Sequence, residues 1–329
     1  MSEPVETNPV QGDDKSHPAK KNSRKKALAG MIRWTGTLLS MALFIWLISR
    51  QKWDVVLAKA TGIPLWILLL VLVLYLLSFG FNTLRWCILL WAQEVRITFW
   101  QAFRISWAGN FASQFLLSTI GGDGLRVVGI FRYTDRKIVG IGSVILDRIT
   151  NMAAMACLIP ISWLIFGSWL GKLFSGAAFA APPGWLRRQF GHYFPRVVAA
   201  FQTWAWRPQA FVYAFLAAWP SNLLPMAGSY LIARQLGMDV SFWQVIGVQT
   251  ITYFITVLPI SFNGWGLREV TFTTLYIALG ATLEQASTLA LVTRFLMILA
   301  TVPGALWLSG AVTDAALNDA DLSGVESEQ

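Results

Sequence analysis

Residues that carry out chemistry are scarce in this chain. Its 329 residues include only two histidines and two cysteines. His17 lies in a polar arm and His192 in a loop, so they cannot form a metal site or a catalytic dyad. Cys87 and Cys157 fall in different apolar segments, without metal or redox spacing, and read as packing residues. No GxxxxGK[ST] phosphate loop occurs, which excludes ATP coupling through that motif. No metal, cofactor or catalytic residue is therefore expected. Charge is also sparse, at 13% of residues. That is about half the share of a soluble domain.

Hydrophobic residues make up 55% of the chain and aromatic residues 14%, with 17 tryptophans. The apolar residues form runs at 34–49, 63–90, 99–120, 138–167, 209–233, 242–262 and 286–310. Runs of about 20 apolar residues are long enough to cross a bilayer. The stretch 270–280 is too short to cross alone. The run 63–90 would be about 42 Å long at 1.5 Å per residue, so its end with Arg85 and Trp86 is expected to emerge into the interface. The expected fold is all-α: a polytopic transmembrane helix bundle over 31–310, between a disordered basic arm (1–30) and an acidic tail (311–329). No cleavable leader is expected, because the first apolar run starts near residue 34 and lacks a small-residue cleavage site.

The net charge of +9 is unevenly placed. Lys15, Lys20, Lys21, Arg24, Lys25, Lys26 and Arg33 precede the first apolar run without an intervening acid. No nucleic-acid-binding fold accompanies them, so nucleic acid is not an expected partner. They read instead as a signal holding the N-terminus in the cytoplasm, against anionic lipid of the inner membrane. The segment 168–207 holds Lys172, Arg187, Arg188, Arg196 and Arg207 and no acid. This favours a cytoplasmic loop, and hence a 99–120 segment that crosses.

Three landmarks recur in order. Thr98-Phe99-Trp100-Gln101 returns as Ser241-Phe242-Trp243-Gln244. Gly122-Asp123-Gly124-Leu125-Arg126 returns as Gly264-Trp265-Gly266-Leu267-Arg268. Asp147-Arg148 is matched by Thr293-Arg294. They predict two internal repeats, about 98–165 and 241–310. Ser106, Asn110 and Ser113 share one helical face in the first copy, and Gln249, Tyr253 and Thr256 share one in the second. Such faces pair helices by hydrogen bonds or line a wet cavity.

Each copy is expected to break at a glycine cluster: Gly121, Gly122 and Gly124 in the first, Pro259, Gly264 and Gly266 in the second. Paired breaks of this kind mark substrate sites in transporters. The broken helices 99–120 and 242–262 then either span or re-enter. Arg126, Arg148, Arg268 and Arg294 are the candidate substrate-binding residues, because guanidinium binds phosphate oxygens in a bidentate fork. Asp123 and Glu269 are their expected charge partners. Asp147 is a further acid, but it points about 100° away from Arg148 on a helix.

These residues resemble the transmembrane region of the lysylphosphatidylglycerol synthase family, flippase-like membrane proteins. The resemblance is carried by Arg85-Trp86, by Gly121-Gly122-Asp123…Arg126, by Arg148 after Ser143-Val144, and by Leu258-Pro259-Ile260-Ser261…Gly264…Gly266-Leu267-Arg268-Glu269. It covers about residues 34–310. Leu117-Ser118-Thr119 and Trp265 depart from the pattern. The resemblance implies movement or binding of an anionic lipid or polyprenyl-phosphate amphiphile. The chain ends after the membrane part, so lysyl transfer is not expected. Two other roles fit the residues: a non-catalytic partner of an envelope-biosynthesis enzyme, and a lipid-modifying enzyme using Asp123, Asp147 or Glu269.

Overall fold

The computed structural model describes Ser49 and residues 53–115, 119–174, 208–257 and 266–307. The basic arm, the rest of the first apolar run, the segment 175–207 and the acidic tail lie outside the described residues. Ten helices and no strand make up the described part. They are α1 (Trp53–Thr61), α2 (Leu65–Trp91), α3 (Phe99–Phe115), α4 (Thr119–Ile130) and α5 (Lys137–Ala156), then α6 (Ile159–Phe174), α7 (Pro208–Gln235), α8 (Phe242–Val257), α9 (Leu267–Ala278) and α10 (Leu283–Thr301). A 3-10 turn, Val302–Gly304, extends α10.

Among the described residues four helices are long and apolar enough to cross a membrane: α2, α5, α7, and α10 with its extension to Trp307. Their outer faces leave large apolar side chains uncovered, among them Leu65, Leu69 and Val73 of α2 and Phe295, Leu299 and Leu306 of the α10 stretch. These are the faces expected to meet lipid. The expected run 138–167 divides into α5 and α6 at Cys157-Leu158. Pro160 accounts for the division, since it has no N–H and its ring crowds the carbonyl four residues earlier.

α2 and α7 form the central antiparallel pair. Ser78 Oγ donates to the Ser221 carbonyl at 2.7 Å. Seven residues earlier on α2, Val71 meets Gly228, seven residues later on α7; a Cβ on Gly228 would lie 2.8 Å from Val71. α7 contains Pro220 and Pro225 yet stays helical. Pro225 removes the N–H that would bond the Ser221 carbonyl, and Ser78 supplies the missing donor.

The core is divided. One apolar cluster joins Ile67, Val71 and Tyr75 of α2 to α7–α10. The other joins Trp86, Leu89 and Leu90 of α2 to α3, α4, α5 and Ala214 of α7. Between them α2 carries Ser78, Asn82, Thr83 and Arg85, and α7 carries Ser221 and Asn222. A polar layer therefore crosses the bundle between two apolar halves.

The Phe-Trp-Gln landmarks both start a helix. Thr98 N–H donates to Gln101 Oε1 (2.9 Å), and Gln101 N–H donates to Thr98 Oγ1 (3.3 Å). Ser241 and Gln244 make the same reciprocal pair at 2.7 and 3.3 Å. This is a capping box, which satisfies two of the N–H groups left open at a helix start. The turn before each box is also the same. The preceding helix ends at a left-handed residue, Glu94 (φ 62°) or Gly237 (φ 71°). The next N–H reaches back five residues, from Val95 to Leu90 and from Met238 to Ala233. Val95 and Ile97 are buried, as are Met238 and Val240. Trp100 and Trp243 are exposed beside them, at 66% and 61%.

The first glycine cluster does not break a helix. Gly121, Gly122 and Gly124 all lie inside α4, which starts at Thr119, and residues 116–118 lie outside the described residues. α4 folds back along α3 as a hairpin: Gly129 meets Ile105, and Gly122 meets Gly109 and Ser113. A Cβ on Gly109 would stand 2.7 Å from the Gly122 carbonyl oxygen. These two glycines thus allow close helix–helix approach, the use small residues have in membrane bundles. In the second cluster, Pro259 and Gly264 lie outside the described residues. Gly266 has φ 79° and starts α9, the conformation for which glycine is suited. Its N–H donates to Glu269 Oε2 at 2.8 Å.

Candidate functional site

The polar layer opens into a cavity of about 320 Å³. Its wall includes Arg85 and Asn82 of α2, Asn110 and Ser113 of α3, Asp123 and Arg126 of α4, and Asp147, Arg148 and Asn151 of α5. Tyr253 and Thr256 of α8 and Arg268 of α9 close it on the other side. Asp147 lies ten residues from the start of α5 and nine from its end, so the cavity sits about 15 Å along a membrane-length helix.

Asp147 is the electrostatic centre. It is 1% exposed. Arg85 Nε donates to Oδ1 at 2.7 Å, and Arg126 donates to Oδ2 from both Nη1 and Nη2 at 3.0 Å. One carboxylate thus takes three charge-assisted hydrogen bonds from two arginines, which offsets the cost of burying it. Arg85 also donates to Asn82 and Asn151, each at 2.7 Å. The Arg126 guanidinium lies 4.4 Å over the Trp86 ring, and Trp86 Nε1 donates to Ser143 at 3.0 Å. The network runs on from Asn151, whose amide nitrogen donates to the Tyr253 hydroxyl at 3.1 Å and whose oxygen accepts from Asn222 at 3.0 Å.

Arg85 is therefore in the site. Arg85 and Trp86 are 4% and 0% exposed, packed within the protein. Periodicity did carry a signal: Asn82 and Arg85 share a face of an otherwise apolar helix, and Ser143, Asp147, Thr150 and Asn151 share the facing side of α5.

Arg148 is less buried than Arg85 and Arg126. Its side chain is 47% exposed, in the stripe that also exposes Ile138, Ile141, Ile145 and Met152. It pairs with Asp123, as expected from its direction. Asp123 Oδ1 also stands 3.7 Å from Arg126. Asp147 faces away from Arg148, as helical geometry requires.

Arg268 and Arg294 flank Glu269, which is 1% exposed, at 3.5 and 3.8 Å from Oε1. Arg268 reaches the cavity wall, whereas Arg294 is not among the wall residues. Gln249 also stands apart from this cavity. It lines an adjoining one of about 160 Å³, whose wall shares Tyr253, Thr256 and Arg268 with the first.

The main cavity's wall holds four arginines and two aspartates, a formal charge of +2. Both aspartates are already held by arginines, and the amides and hydroxyls around them are hydrogen-bonding groups. Such a wall favours an anion of phosphate type. Among the described residues no cluster of three or more histidines, cysteines and acids could hold a metal.

No curated protein and no solved structure matches the chain. Residues 33–304 match the family described as the lysylphosphatidylglycerol synthase TM region, and the chain belongs to that family.

Proposed function

We propose that this protein is a carrier, not an enzyme, that moves an anionic lipid or polyprenyl-phosphate amphiphile between the leaflets of the cytoplasmic membrane, with its N-terminus in the cytoplasm. The observation that carries this reading is the cavity of formal charge +2 beside the middle of α5, a helix of membrane length. Burying that much charge costs several kcal/mol or more unless it is paired or wetted. The charge left over after Asp123 and Asp147 are satisfied is what a phosphate headgroup would neutralise.

An internal inverted repeat accounts for how such a site is built. In this reading the copies are about 98–165 and 241–310, which start at α3 and α8, and each is preceded by a long helix, α2 or α7. The shared turn-and-capping-box geometry before α3 and α8 supports it, as does the antiparallel contact of α2 with α7. Opposed copies place a site at their common interface, near mid-depth. The hairpin α3–α4 then enters and leaves on one side, in place of the crossing expected for 99–120. At 17 residues α3 is about 26 Å long, less than the hydrocarbon core.

The test is leaflet exchange in liposomes holding the full chain, with fluorescent phosphatidylglycerol and phosphatidylcholine. Exchange should favour the anionic lipid and fall at least tenfold in Arg148→Ala/Arg268→Ala. Equal exchange of both lipids, exchange indifferent to the two substitutions, or none at all would refute carriage of an anionic headgroup.

A further inference from the structure

A further cavity, of about 550 Å³, shares no described wall residue with the charged one. It lies between Leu57 and Ala60 of α1, Leu65 and Leu68 of α2, and Thr288 and Leu296 of α10. Its described wall holds no charged residue. Its two threonines direct their hydroxyl protons to their own helices: Thr61 to the Leu57 and Ala58 carbonyls at 2.9 and 3.2 Å, and Thr288 to the Glu284 carbonyl. The indole N–H of Trp53 is the one other side-chain donor on the described wall. A wall so poor in hydrogen-bonding groups gives a polar ligand nothing in return for its lost water, and it suits hydrocarbon.

This cavity is continuous with the faces expected to meet lipid. Leu65 and Phe295 belong to its wall and are exposed at 69% and 65%. Along α10 it runs from Thr288 to Leu296, about 12 Å of helix. One leaflet's share of the hydrocarbon core is about 15 Å, so the cavity has the reach of a chain lying in a single leaflet. Trp53, the first residue of α1, stands at its wall half-exposed, as a tryptophan at a membrane–water boundary does. Charge says which boundary. Gln285, in the first turn of α10, donates to the Leu236 carbonyl at 2.9 Å, so this is the end of the bundle where α7 stops. Among the described residues that end carries Lys59 and Arg234 against Asp54, Asp239 and Glu284. The opposite end, around the α2–α3 and α4–α5 turns, carries Arg96, Arg104, Arg132, Arg136 and Lys137 against Glu94 and Asp135. Basic ends stay in the cytoplasm, which puts the cavity in the leaflet that faces away from it.

We propose that this cavity is a resident-lipid site, which seats one acyl chain of a phospholipid of the outward leaflet between α1 and α10, whatever its headgroup. It is independent of the charged cavity, and its occupant is not the cargo. The drive is contact. A concave apolar wall left unfilled forfeits dispersion contacts that a chain restores on several sides at once. A flat lipid-facing stripe, such as Ile138, Ile141 and Ile145 of α5, touches a chain on one side only. Helix α1 has nine residues, too few to cross a bilayer, and the seated chain fills the space between it and α10.

The experiment is photolabelling of the full chain in liposomes, with phosphatidylcholine and phosphatidylglycerol that each carry a diazirine in mid-chain. Labelled peptides are then mapped by mass spectrometry. Residues 53–68 and 288–296 should take at least fivefold more label per residue than 138–152 of α5, and the two lipids should label them within twofold of each other. Ala60→Trp, which fills the cavity, should lower that label to the level of α5 and leave α5 itself unchanged. Leu57→Asp, at an exposed position where folding is not at stake, should do the same. Label spread evenly over α1, α5 and α10 shows ordinary surrounding lipid and overturns the proposal. So does enriched label that neither variant lowers, or a tenfold preference for one headgroup. If the chain elutes as an oligomer that the two variants dissociate, a second copy occupies the cavity and the proposal also falls. None of these outcomes bears on carriage through the charged cavity.

Discussion

Replacing Asp147 with asparagine keeps the side chain's shape and removes its charge. Two buried arginines then lose their shared anion. Arg85 is 4% exposed and Arg126 is 7% exposed, so solvent cannot make up the loss. Removing one member of a buried pair typically costs about 3–5 kcal/mol, and three hydrogen bonds to two arginines place this site at the upper end. Asp123 is the internal control. Its nearer partner Arg148 is 47% exposed, and Arg126, 3.7 Å away, keeps its two hydrogen bonds to Asp147, so Asp123→Asn should cost less than about 1 kcal/mol. Both can be read as unfolding free energies of the full chain in mixed micelles, followed by tryptophan emission. The triple replacement Arg85→Met/Arg126→Met/Asp147→Leu should recover much of the Asp147→Asn loss, because no charge is left unpaired. The reasoning fails if Asp147→Asn costs no more than Asp123→Asn, or if the triple replacement is less stable than Asp147→Asn alone.

The glycines of α4 should separate by position. Gly122→Val pushes a side chain into Ser113 and the Gly109 backbone, and should open the hairpin, read as faster proteolysis or hydrogen exchange over α3 and α4. Gly124→Ala meets open space and should stabilise by about 1 kcal/mol, through helix propensity alone. The two capping boxes should respond alike: Thr98→Ala and Ser241→Ala each lose about 1 kcal/mol in the same unfolding measurement. Markedly unequal losses would show that the two turns carry different strain.

Much of this molecule is written locally. The membrane-length helices follow from runs of apolar residues, because a bilayer leaves the backbone no partner but itself. The starts of α3 and α8 follow from Thr-x-x-Gln and Ser-x-x-Gln, whose bonds close within four residues. The polar faces on Asn110 and Ser113 and on Tyr253 and Thr256 follow from helical period, and all four do line the cavity. Helical direction could only set Asp147 apart from Arg148 and leave Asp123 and Glu269 as the candidate acids; which arginine each one meets was fixed by packing.

What local pattern could not supply was the docking of helices far apart in sequence. Arg85 joins Asp147 across 62 residues, and that meeting depends on how α2 rotates and crosses against α5. The same rotation turns Arg148 outward, and the packing of α10 against α9 holds Arg294 at Glu269, outside the cavity wall. The glycines show the limit most plainly. Glycine suits both a turn and a close helix contact. At Gly266 the backbone took the turn, with a positive φ. At Gly122 the approach of α3 made the residue a packing surface inside a helix, because only a side chain without a Cβ lets Gly109 come so near.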